Sequence, residues 1–102
     1  MQKSYFKMAK YNAEIVNIIY SITPEEEISL NLYELCRKLP KAEYNPEEFV
    51  ALRWKKPLQG KHYIKHVLVF RNGKLIISTG KALKKQEIDE IYKIILENGR
   101  TV

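Results

Sequence analysis

Side chains able to do chemistry are few in this sequence of 102 residues, and their spacing argues against catalysis. Cys36 is the single cysteine, so no internal disulfide framework is possible. It lies among Leu32, Leu35 and Leu39 at helical spacing, which reads as a core thiol. A nucleophile would need a base beside it, and nothing local supplies one. His62 and His66 stand four residues apart. On a strand that spacing shares a face but separates the rings by ~13 Å, too far for one metal. No third ligand accompanies them, so no metal site is expected. The carboxylates Glu25, Glu26, Glu27, Glu47 and Glu48 fall at turns and helix starts, where solvent or a helix dipole accounts for them. There is no glycine-rich phosphate loop and no triad-like setting. The expectation is a protein that is not an enzyme and holds no cofactor.

What remains is a set of residues suited to binding. Asn17 is a lone amide in an apolar, β-branched run and needs a partner. Phe49 and Phe70 are aromatics on strand-like segments, where a place in the core is the ordinary reading. Arg53 and Lys74 flank them, and a lysine after a turn is ordinary surface. The chain carries 18 Lys+Arg against 12 Asp+Glu, a net charge of +6, which favours an anionic partner. Lys, Glu and Ile are abundant, a composition that leans thermophilic. No apolar run approaches the ~20 residues of a membrane span. The N-terminus lacks a signal-peptide core, so an intracellular protein is expected.

The elements that would position these residues follow from periodicity. Met1 to Asn12 is a basic, aromatic arm, and residues 13–102 form one domain. Ala13 to Ile22 alternates as a strand, with Ile15, Asn17, Ile19 and Ser21 on one face and Val16, Ile18, Tyr20 and Ile22 on the other. Asn31 reads as an N-cap, with Glu34 closing a capping box, for a helix ending near Lys38 ahead of Pro40. Lys41 to Pro46 is a short extended piece, and Asn45-Pro46 starts a turn. Phe49 to Lys55 alternates, with Phe49, Ala51, Arg53 and Lys55 opposite Val50, Leu52 and Trp54. Lys56 to Lys61 is a connecting loop. Tyr63 to Phe70 follows, with His66, Leu68 and Phe70 opposite Lys65, Val67 and Val69. Asn72-Gly73 predicts a hairpin turn with positive φ at both residues. In the next strand Lys74, Ile76 and Ser78 oppose Leu75, Ile77 and Thr79, and Gly80 ends it. A second helix runs from about Lys84 to Glu97, with Ile88, Ile91, Tyr92 and Ile95 as its apolar stripe and Asn98-Gly99 as its stop. The expected fold is α+β: a curved antiparallel sheet of about five strands with two helices on its convex face.

That order, with Ala42-Glu43-Tyr44-Asn45-Pro46-Glu47-Glu48-Phe49 at its centre, resembles one half of a TATA-box-binding protein. Ile15-Val16-Asn17-Ile18-Ile19 is similar to the family's first strand, and Val67 to Lys74 to its third strand and turn. The resemblance implies a concave sheet face that lies in the DNA minor groove. On that footing Asn17 corresponds to an asparagine that hydrogen-bonds groove acceptors, and Ile19 to a valine on the groove floor. Phe49 and Phe70 correspond to a phenylalanine pair that wedges into a base step. Leu68, Ile76 and Ser78 fill the remaining apolar and hydroxyl positions, and Arg53 and Lys74 reach phosphates. Chemically this suits A·T pairs, which offer only acceptors in the minor groove.

The sequence also departs from the family. Phe49 to Pro57 is shorter and Pro57 to Phe70 longer, so the loop between those strands is remodelled. Ser78-Thr79-Gly80-Lys81 replaces Thr-Gly-Ala-Lys: an ungapped reading sets Ser78 at the threonine position, and a one-residue slip would set Thr79 there and flip the strand end. The family has two such halves, and this sequence has one. A half-saddle leaves its first strand unpaired. The expected repair is a homodimer through the edge of strand 13–22. The leading expectation is a transcription-factor-like protein binding A·T-rich double-stranded DNA, with a transcription-factor partner possible in addition. The alternatives are a module that docks a protein on the same face and a binder of RNA or hybrid duplexes.

Overall fold

The structure is a computed structural model that describes residues 17–100. The arm 1–12 and the start of the first strand, Ala13 to Val16, lie outside the described residues. Within them the elements are β1 Ile18–Ile22, α1 Leu32–Lys38, β2 Ala42–Glu43, β3 Leu52–Lys55, β4 Ile64–Val69, β5 Leu75–Thr79 and α2 Lys85–Gly99. The strands form one antiparallel sheet in the order β1-β5-β4-β3-β2.

Alternation decides what each face does. Tyr20, Ile77, Val67, Trp54 and Ala42 form one transverse row, and Ile22, Leu75, Val69 and Leu52 the next. Both rows meet the helices. Leu32, Leu35 and Leu39 from α1 and Ile91 and Ile95 from α2 complete that core. The two helices therefore share one side of the sheet, as the α+β expectation holds.

Local chemistry explains the ends. Asn31 caps α1, its side-chain oxygen accepting from the Glu34 N–H at 3.0 Å. The expected capping box does not close. Glu34 turns to Arg37 and Lys38, and the Asn31 N–H donates to the Gly99 carbonyl at 2.7 Å. That bond joins the start of α1 to the end of α2. Gly99 is not the left-handed stop expected for α2, since the helix includes it. A Cβ there would lie 3.2–3.3 Å from three carbons of Leu35, so the glycine allows the two helices to approach. At the other end of α2, Glu87 accepts from the Lys84 N–H at 3.0 Å.

The hairpin between β4 and β5 also differs from expectation. Only Gly73 has positive φ, at 90°. Its N–H donates to Phe70 O, and the Phe70 N–H donates to Lys74 O. Three residues separate that pair, which is the turn-plus-left-handed-glycine loop rather than a two-residue turn.

Two parity assignments fail for identifiable reasons. Lys65 does not share the helix face with Val67. The register shifts between Ile64 and His66 opposite Thr79 and Ser78, so Lys65 is the extra residue of a bulge. Ile64 then enters the core and Lys65 is exposed. Val50 is not covered by the helices either. Glu48 and Phe49 both donate backbone N–H groups to Asn45 O, a turn that occupies the expected start of the strand. The strand begins only at Leu52, leaving Val50 66 % exposed.

Candidate nucleic-acid interface

The face away from the helices carries two transverse rows. Ile19, Ser78, His66 and Lys55 form one, and Ser21, Ile76, Leu68, Arg53 and Glu43 the other. Beyond the second row lies the Phe70–Lys74 pair at the hairpin. Continuing the β3–β4 register sets Phe70 opposite Ala51. Seven of the nine expected site residues thus fall on one face of the sheet by register: Ile19, Arg53, Leu68, Phe70, Lys74, Ile76 and Ser78. Asn17 precedes β1 and is exposed, in phase with Ile19 and Ser21.

Phe49 is the exception to the strand assignment. It follows the Asn45–Glu48 turn, outside β3, and is 41 % exposed. Asn45 holds that turn by accepting from the Glu47 N–H at 3.2 Å. Phe49 nevertheless lines a cleft of about 350 Å³ with Ala51 and Arg53 from its own segment and Tyr44 and Glu48 around it. The aromatic, the small residue and the guanidinium therefore open toward a common space. Ala51 is covered in that cleft, at 3 % exposure.

The face is graded. At the end near Asn17 it offers an amide, the Ser78 hydroxyl and the His66 imidazole. At the hairpin end it offers Leu68, Ile76 and Phe70. Ile19 is 60 % exposed, a large apolar side chain with no core to enter. Ser78 is only 7 % exposed, lying between Ile19 and His66, so its hydroxyl sits low in the surface. Thr79, on the other face, is fully buried and its hydroxyl is engaged with the Tyr63 and Lys81 backbone. The structure thus sets Ser78, not Thr79, on the open side.

Positive charge borders the rows. Arg53 and Lys74 make no ion pair among the described residues, whereas Lys55 pairs with Glu43 at 3.0 Å. His66 is held below its ordinary pKa, first by burial and then by the Arg53 charge. Its place on this face was legible from strand parity, but its residue type suggested only a metal ligand. Among the described residues no three potential ligands gather, and no helix is long and apolar enough to cross a membrane.

Comparisons with known proteins agree on the origin of this arrangement. A family model described as "Transcription factor TFIID (or TATA-binding protein, TBP)" matches residues 12–98. The chain is 30% identical over 99 residues to the TATA-box-binding protein of Archaeoglobus fulgidus, covering 93% of this chain and 50% of that protein. It is 31% identical over 86 residues to that of Pyrodictium occultum, covering 84% of this chain and 40% of that protein. The solved structure of Methanococcus jannaschii TBP superposes with a TM-score of 0.58 at 31% identity, over 82% of this chain and 45% of that one. The chain thus spans about half the length of the relatives it matches, as one repeat would. With the family model matching most of its length and a solved relative superposing on its fold, the chain belongs to the TATA-binding protein family.

Proposed function

We propose that this chain is a non-enzymatic, transcription-factor-like protein whose open sheet face enters the minor groove of A·T-rich double-stranded DNA. The observation that carries the reading is the grouping of Asn17, Ile19, Leu68, Ile76 and Ser78 opposite the helices, with Arg53, Phe49, Phe70 and Lys74 around them. Donors and apolar shape suit a groove floor of acceptors. Phe49 and Phe70 supply the wedge, and unstacking a step costs about a few kcal/mol that wrapped surface offsets. Arg53 and Lys74 contact phosphates.

An open sheet edge supports a homodimer. β1 is an edge strand, hydrogen-bonded to β5 on one side only among the described residues. A second copy pairing along β1 would extend two five-stranded sheets into one saddle. Fluorescence titration of a short A·T-rich duplex against a G·C-rich one, repeated over a range of salt, tests the reading. The expected result is preference for A·T and weakening as salt rises. Equal, salt-insensitive behaviour would contradict it.

The exposed Ile19 also favours a second reading, in which the same face docks a protein such as a transcription factor. A protein complex that persists in high salt, with no retention on DNA, is its signature.

A further inference from the structure

Beyond the residues already assigned to the interface, the open face holds one titratable group at its centre. His66 stands between Ser78 on β5 and Lys55 on β3 in the same transverse row, with Ile19 at the row's end. It alternates with Val67, which is fully buried in the helix-side core, so the imidazole is on the open side. The Lys65 bulge puts Ile64 out of phase with it. Without the extra residue, Ile64 and His66 would share a face.

We infer that His66 is a groove-reading residue of this face, presenting an imidazole N–H to the acceptor-lined floor and taking up a proton as the duplex binds. The inference rests on the minor-groove reading above. A half-buried imidazole between the small Ser78 and the exposed Lys55 is open to an approaching base edge. Neutral imidazole offers one donor and one acceptor, whereas imidazolium offers two donors. A·T pairs present only acceptors in the minor groove, and G·C adds the guanine amino donor. The protonated ring therefore matches A·T and leaves a guanine amino group without a partner.

The charges around the ring set the direction of the linkage. Arg53 and Lys55 face it from β3, and Lys74 lies beyond, at the hairpin before β5. Glu43 on β2 is the one carboxylate in the two rows, and Lys55 engages it. The described part of β1 presents only Ile19 and Ser21 on this face, and Lys65 is the flanking charge on β4 itself. In the free protein burial and the Arg53 charge disfavour the imidazolium. A bound polyanion reverses the balance by neutralising Arg53 and adding negative potential. The pKa is then higher in the complex than in the free protein. Affinity therefore rises as pH falls between the two values and is flat on either side of them.

The test is the dissociation constant of the full chain for a labelled A·T-rich duplex at fixed ionic strength, from about pH 8 to about pH 5.5, spanning the ordinary histidine range. Wild type should tighten roughly tenfold for each pKa unit by which binding raises the group. His66→Gln keeps a donor and should bind with no such slope, and His66→Ala should bind more weakly and also without it. His62→Gln, in the exposed loop, should keep the wild-type slope. Thermal unfolding of each variant establishes that it is folded. An unchanged slope in folded His66→Gln, or a wild-type affinity independent of pH, overturns the inference while leaving the minor-groove reading intact. Absence of binding at every pH overturns both.

Discussion

Phe49 and Phe70 are held differently, and their removal should have different consequences. Phe70 directly follows β4, fixed by two backbone hydrogen bonds across the hairpin, and is half-buried. Phe49 stands free after a turn. Phe49→Ala should leave the urea midpoint nearly unchanged, within about 0.5 kcal/mol as for other exposed sites. Phe70→Ala should cost about 1–3 kcal/mol of stability. Both should weaken DNA binding by about tenfold or more, the equivalent of ~1.4 kcal/mol. A second residue-scale prediction concerns acid. Glu87 accepts hydrogen bonds from the Lys84 N–H and the Tyr63 hydroxyl and lies 3.7 Å from Lys61. Those contacts, the backbone one first, hold its carboxyl below the usual range. A depressed carboxyl stabilises the fold above its ordinary pKa, and that stability is lost as pH falls through the folded value. Glu87→Gln should therefore show a shallower loss of stability than wild type when urea unfolding is compared at about pH 7 and about pH 3.5.

At the scale of elements, the helices and most strand faces were legible because local patterns decide them. The Asn31 cap and the Ile88–Ile95 stripe are written within a few residues. The alternation of Leu75, Ile77 and Thr79 against Ile76 and Ser78 needs no partner to be read. The misreadings arise where another contact, distant or local, overrides the pattern. The Lys65 bulge exists only relative to Thr79 and Ser78 on β5. Val50 and Phe49 leave the strand because Asn45 O captures two N–H groups. Lys41 and Lys56 adopt positive φ, at 62° and 52°, where nothing in the sequence asks for glycine. Gly99 looked like a local stop signal and is a contact between helices. Replacing it tests that contact. Gly99→Leu places a branched side chain against Leu35 and should cost about 1–3 kcal/mol, the range for overpacking. Thermal or urea unfolding measures it, and a variant as stable as wild type would show that α1 and α2 yield at that point.

For the whole molecule, the sheet edge and the open face make one account. The expected site residues are spread over β1, β3, β4 and β5, and register brings most of them to one face, as strand parity predicts. The likeness named Phe49, which the structure sets after the Asn45 turn and outside β3, and strand parity set His66 on the open face, where the structure also has it. In the proposed β1-edge dimer two such units make the saddle, so the complex should contain two chains per duplex. Sedimentation of the protein with a short A·T-rich duplex should give that stoichiometry, and one chain per duplex would remove the β1-edge dimer. The most direct measurement of the central claim is bending and affinity together. An A·T-rich duplex labelled at both ends, titrated with wild type and with the Phe49→Ala/Phe70→Ala double variant, reports both by energy transfer. The account predicts a shortened end-to-end distance with wild type, and loss of bending with markedly weaker binding in the double variant. Unchanged affinity and bending in a folded double variant would contradict it.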